Sequence, residues 1–203
     1  MLKQAGLVLG VLLLFCCVGV SQVQRFDFNL GYTGNFSKTS SGNFITLSPT
    51  NSGGFLFSFI FHLNSHSGLQ FNYNKTRNSQ FYEVDPDTFR VITNISEFSG
   101  AYVLNFMHHE KWDPFVFAGA GILNFSPKST FVDESPVVLG ASGQKPVAWI
   151  YGGGVDYKLS ERFYARLQYR GVFYKAPDFE LQRLFTGATG HMAEPSIGIA
   201  FKF

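Results

Sequence analysis

Charge is scarce in this sequence, and so is cysteine. Of 203 residues only 15% are Asp, Glu, Lys or Arg, and the formal net charge is +2. That balance argues against nucleic acid as a main partner, which would need a concentrated basic surface. The two cysteines, Cys16 and Cys17, are neighbours near the N-terminus. A helix-forming composition is also missing: Gly, Phe and Asn abound where a helical bundle would carry Ala, Leu and Glu. What is present is aromatic: 24 Phe, 9 Tyr and 2 Trp make up 17% of the chain, beside 21 Gly. Disordered chains are poor in aromatics and rich in charge, so disorder is excluded. The composition is that of an aromatic-rich, glycine-rich β protein whose length suits one domain.

Lys3, the uncharged apolar stretch Leu7–Val20 and the small residues Gly19 and Ser21 read as a signal peptide over residues 1–21, cleaved before Gln22. As a membrane anchor the stretch is short, since a spanning helix needs roughly 20 residues. A lipoprotein signal is a further reading of Cys16 and Cys17, but Phe15 is bulky where that signal takes a small residue. Removing residues 1–21 leaves a single domain, 22–203, of 182 residues and net charge +1. That domain has no cysteine, so disulfides, a thiolate nucleophile and a cysteine-ligated metal are excluded from it. No other apolar run approaches spanning length, and entry into a membrane would require a closed barrel.

From Arg25 onward the chain alternates with period 2, the mark of strands with one apolar and one polar face. Eight segments follow, with apolar rows Phe26–Phe36, Phe55–Leu63, Leu69–Tyr73, Phe98–Phe106, Phe115–Phe125, Val147–Tyr157, Phe163–Phe173 and Ile197–Phe203. Upstream of the fourth, Phe89, Val91 and Ile95 lie on the other parity, which predicts a bulge or strand start near Ser96. Short connections (Asn64–Ser67, His108–Asp113, Leu159–Glu161) alternate with long polar ones (Ser37–Gly53, Asn78–Thr88, Ser126–Pro146, Lys175–His191). This layout predicts an all-β fold, an eight-stranded antiparallel up-and-down transmembrane β-barrel with four long surface loops.

Period alone does not say which face is the core. Eight rows of Phe and Tyr would overfill a small soluble barrel. The opposite rows of Gly, Ala, Ser and Asn suit a narrow lumen, so the aromatic rows are expected to face lipid. Aromatics near segment ends, Tyr32, Trp112, Trp149, Tyr157 and Tyr174 among them, are expected to form interfacial girdles.

The last segment, Pro195-Ser-Ile-Gly-Ile-Ala-Phe-Lys-Phe203, resembles the C-terminal signature of bacterial outer-membrane proteins. Pro114-Phe-Val-Phe-Ala-Gly-Ala-Gly121, Trp149-Ile-Tyr-Gly-Gly-Gly-Val-Asp-Tyr157 and Arg162-Phe-Tyr-Ala-Arg-Leu-Gln-Tyr-Arg170 resemble strands five to seven of the small outer-membrane barrel families, OmpA-like, OmpX-like and OmpW-like. The resemblance implies an outer-membrane location, with Phe201 and Phe203 as the signal read by the barrel-assembly machinery. It also implies periplasmic chaperones in transit, and outer-membrane lipid and lipopolysaccharide as surroundings. The periplasmic peptidoglycan-binding domain of full-length OmpA-type proteins is not expected. Function is left open, since these families include anchors, adhesins, channels and lipid-modifying enzymes.

Asp27, Glu97, Asp156, Arg166, Arg170, Glu194 and Lys202 share the lumen-facing parity. Charges confined in a barrel without a water-filled bore must be paired. Arg170 with Glu194 and Asp27 with Lys202 are the expected pairs. The same charges could instead line a gated path, as in an OmpW-like channel. A metal site at His108-His109-Glu110 is disfavoured, because adjacent strand residues face opposite ways. Gly152-Gly153-Gly154 lacks the following helix of a phosphate loop and reads as small residues in a curved strand. By likeness to the eight-stranded barrels that modify lipid A, Ser196 with Glu194 and His191 is a conceivable catalytic set, but Ser196 has lumen parity. The expectation is a non-enzymatic barrel with no cofactor.

Overall fold

In the computed structural model, which describes residues 25–106 and 111–203, the period-two segments become hydrogen-bonded strands. They are β1 (Phe26–Ser37), β2 (Ser40–Gly42), β3 (Ile45–Pro49), β4 (Ser52–Asn64), β5 (Ser67–Val84), β6 (Asp87–Asn105), β7 (Trp112–Val132), β8 (Ser135–Pro136), β9 (Val147–Lys158), β10 (Phe163–Lys175) and β11 (Thr189–Lys202). A 3-10 turn, Gln182–Leu184, interrupts the last long connection. The expected signal peptide and His108-His109-Glu110 lie outside the described residues.

Antiparallel pairing runs β1–β4–β5–β6–β7–β9–β10–β11 and back to β1, an eight-stranded closed barrel. Closure removes the unpaired edges that an open sheet would present. At the seam the Phe203 carbonyl accepts from the backbone N–H groups of Arg25 and Phe26, both at 3.0 Å, and Phe203 N–H donates to Phe26 O at 2.9 Å. The Phe203 ring stacks on Phe26 and Phe28, at 5.6 and 5.7 Å. Both strand ends of the seam therefore lie at the short-turn end, the periplasmic end of such barrels.

Strand continues into three of the four expected loops. β5 and β6 stay paired through Val84 and Asp87 and turn at Asp85-Pro86. β7 continues to Val132 and turns through Asp133 and Glu134, both at positive φ, into β8. Between β1 and β4 the hairpin β2–β3 adds its second strand to β5. The wall thus extends beyond the barrel, because inward residues such as Tyr82, Phe89 and Val91 find apolar partners there.

The expected break near Ser96 does not occur. Every odd residue of β6 from Phe89 to Asn105 is buried, so parity is continuous. The β6–β7 register shifts instead between Ile92 and Thr93, which pair with Ser129 and Pro127 and skip Lys128. Phe89, Val91 and Ile95 differ from the rows below because the interior itself turns from polar to apolar.

The fifth segment is also corrected. Phe115, Phe117, Leu123 and Phe125 face the interior, while Val116 and Ile122 face outward. Glycines on β9 leave the room. A Cβ on Gly152 would stand 2.5 Å from the Phe117 ring, and one on Gly154 would stand 2.7 Å from the Phe115 ring.

Candidate functional site

The seven charged residues expected on the lumen face, Asp27, Glu97, Asp156, Arg166, Arg170, Glu194 and Lys202, are all buried. They gather in two clusters. Near the short-turn end, Arg166 on β10 stands opposite Asp156 on β9. Its guanidinium donates through Nε to Oδ1 at 2.6 Å and through Nη2 to Oδ2 at 2.7 Å. This two-point contact is the strong geometry for arginine and carboxylate. The same guanidinium reaches Asp27 Oδ2 at 3.4 Å and lies over the Phe115 ring, 4.9 Å from its centroid. Lys202 is opposite Asp27 in register, but its Nζ is 3.9 Å from that carboxylate and closer to Asp156 (2.9 Å) and Asp113 (3.2 Å). His62 Nε2 completes the cluster, 3.0 Å from Asp27 Oδ2. Asp113 is the second residue of β7, at the edge of the expected turn, where alternation gives no sign of a lumen role. His62 had the right parity and no sign of its partner.

The second cluster lies higher. Arg170 stands opposite Glu194 in the β10–β11 register, with Nε 3.7 Å from Oε2. Its Nη2 donates across the bore to Glu97 Oε1. Glu194 Oε1 accepts from Asn35 Nδ2 (3.1 Å) and Asn74 Nδ2 (2.9 Å). Glu97 Oε1 accepts from Ser99 Oγ at 2.6 Å, and Asn72 and Gln70 extend the chain of hydrogen bonds. Amides from β1 and β5, carboxylates from β6 and β11 and the arginine from β10 therefore converge on one layer.

Above this layer the interior is apolar. Tyr82, Phe89, Val91, Phe125, Val172 and Met192 form its wall, and Phe179 and Leu184, both fully buried, enter from the connection between β10 and β11. Gln144 pins that connection. Its Oε1 accepts from the backbone N–H groups of Asp178 (2.9 Å) and Phe179 (3.0 Å), and its Nε2 donates to Asp178 Oδ1. Tyr82 Oη donates to Pro177 O at 2.7 Å. Full burial of a side chain such as Phe179 contributes about 1.5–3 kcal/mol.

Outside, the apolar rows are exposed: Leu30, Phe55, Phe71, Phe98, Leu167 and Ile197 range from 55% to 67% accessible. Water-soluble monomers rarely expose contiguous apolar patches beyond a few hundred Å², and lipid is the natural solvent of a surface like this one. Tyr32, Trp112 and Trp149 are exposed on this side, and Tyr157 is half-buried with its ring 4.6 Å from that of Trp112. Tyr174 is a correction. It points inward and is 4% accessible, against Phe125 at 5.6 Å, because its parity on β10 is that of Val172 and Arg170. Phe201 and Phe203 are half-buried at the seam.

The conceivable catalytic set is not assembled. Ser196 faces the lumen and donates to Gln168 O at 3.4 Å, and Glu194 is bound up with Arg170. His191 has the opposite parity and packs outside against Phe173, with ring centroids 4.5 Å apart.

No family model matches the chain, and no curated protein matches it. Solved structures do. Outer membrane protein OprG from Pseudomonas aeruginosa superposes with a TM-score of 0.63 at 13% identity, over 90% of this chain and 97% of that one. Neisserial surface protein A gives 0.55 at 15% identity, over 87% and 97%. Ail, the attachment invasion locus protein of Yersinia pestis, solved with the heparin analogue sucrose octasulfate, gives 0.54 at 15% identity, over 89% and 100%. These likenesses establish the architecture. With the lipid-facing exterior, they make the chain an integral outer-membrane β-barrel.

Proposed function

We propose that the protein is a non-conducting, non-enzymatic barrel that holds a folded structure at the outer-membrane surface, its lumen serving as a salt-bridged plug. The observation that carries this reading is the filling of the interior along its height. Two ionic layers occupy the lower and middle bore, and an apolar layer closed by Phe179 and Leu184 occupies the mouth. Ion-paired side chains from β1, β6, β9, β10 and β11 tie opposite walls together, while the extended β5–β6 and β7–β8 hairpins and the β2–β3 hairpin present the surface structure. Phe201 and Phe203 would serve as the assembly signal read in the periplasm, after delivery by chaperones.

A second reading, a narrow path for small molecules, draws on one feature. Among the described residues, Gln70 Oε1, Arg170 Nη1 and both amide atoms of Gln168 have no hydrogen-bond partner, so the polar section has binding capacity to spare. Planar-bilayer recording separates the two. The plugged barrel should show no steady conductance, and variants lacking the Phe179–Leu184 segment should conduct more than wild type. Steady conductance by the wild-type protein would favour the path. A change in lipid-A masses on expression would reject the non-enzymatic reading.

A further inference from the structure

The outward face of β5, β6 and β7 changes character along its length. Toward the periplasm it carries Phe71, Tyr73 and Phe98. Higher on the same strands come Lys75 and Arg77, successive outward positions of β5, both exposed. Lys75 pairs with Ser96, and Ser96 with Asn124. Beyond Asn124 lies Lys145, exposed between the backbone-paired residues Gln144 and Pro146. Lys128 is exposed at the β7 register shift. Among the described residues, none of these four cations has a carboxylate within ion-pair distance. Apart from Glu97 and Asp113, which pair with lumen cations, the acidic residues of this wall stand higher, at its tips: Glu83, Asp85 and Asp87 on the β5–β6 hairpin, Asp133 and Glu134 on the β7–β8 turn. Charge is thus sorted by height, with cations next to the lipid-facing rows and anions away from them.

The same wall has a dent below the cations. A shallow pocket of about 240 Å³ lies among Leu69, Phe71, Gly100, Tyr102 and Gly119. A Cβ added to Gly100 would meet nothing within 4 Å. Gly100 is four residues down β6 from Ser96, and Phe71 four residues down β5 from Lys75, about 13 Å of strand. A phosphate group above and a hydrocarbon chain below would match this spacing, and a free anion would use only the upper half.

We infer that the outer wall of β5–β7 is a binding site for a phosphorylated, multiply acylated glycolipid of the surface leaflet, its phosphates held by Lys75, Arg77, Lys128 and Lys145 and one acyl chain seated at Gly100. The site does not depend on whether the lumen conducts. Arg90 stands apart from it, engaged by Ser79 Oγ and lying over the rings of Phe81 and Phe131.

The test uses the full barrel purified in a neutral detergent and native mass spectrometry. The probes are bis-phosphorylated lipid A, its dephosphorylated form and inorganic phosphate. Wild type should retain lipid A, and the variant K75S/R77S/K128S/K145S should weaken that binding at least tenfold while keeping its heat-modifiable gel mobility. G100L should weaken lipid A binding several-fold and leave inorganic phosphate unaffected. Equal binding of lipid A by wild type and the quadruple variant would overturn the site. So would equal retention of the dephosphorylated form, or displacement of lipid A by millimolar inorganic phosphate. If the quadruple variant does not fold, K75S/R77S and the dephosphorylated probe decide by the same criteria.

Discussion

Arg170 and Glu194 stand opposite each other in the β10–β11 register, yet the hydrogen bond of the Arg170 guanidinium crosses the bore to Glu97. One arginine serves two carboxylates from strands far apart in the chain. Breaking a buried pair by removing one partner costs roughly 3–5 kcal/mol in a dry interior, and less where water enters. Glu97→Ala should approach that range. Double-mutant cycles on the refolded barrel should give a larger coupling for Arg170 with Glu97 than for Arg170 with Glu194. Replacing all three by apolar residues of similar size should recover much of the loss. Couplings in the reverse order would contradict the geometry.

Closure of β1 on β11 leaves no free edge for detergent to pry open. Unboiled protein in SDS should therefore migrate differently from boiled protein. Identical mobility, or recovery of the protein in a soluble fraction, would count against the barrel.

Gln144→Ala should loosen the surface plug and spare the wall. It removes the acceptor for two backbone N–H groups, Asp178 and Phe179, and an unsatisfied buried group costs about 1–3 kcal/mol. Hydrogen exchange should rise across residues 178–184, with the gel shift unchanged. An equal drop in the stability of the whole barrel would show that plug and wall unfold as one unit.

Deleting Phe203 removes three seam hydrogen bonds and a ring stacked on Phe26 and Phe28. Phe→Ala in a full core costs roughly 3–5 kcal/mol, and half-buried Phe203 should cost less. Refolding into detergent should then be only modestly impaired. Membrane assembly in cells should fall much further, because recognition of the terminal residue is lost as well. Wild-type insertion of the deletion variant would remove Phe203 from the assembly signal.

Strand number, the lipid-facing rows and the inward parity of the seven charged residues were legible in the sequence, because a strand reports its two faces directly through period-two alternation. Alternation fails where both faces are apolar. On β7 the rows Phe115–Phe125 and Val116–Ile122 both look like lipid contacts, and only the room above Gly152 and Gly154 on the neighbouring strand decides that the phenylalanines turn in. Tyr174 differs from expectation for a related reason: aromatic character near a strand end suggests an interface, whereas its parity and the apolar plug around it put it inside. The partners within the lumen were hidden too. Glu97 meets Arg170 across 73 residues of sequence, and Asp113 joins Lys202 across 89. Parity states which way a side chain points. Which charges meet depends on strand stagger and on the width of the closed barrel, and these exist only once the last strand has paired with the first.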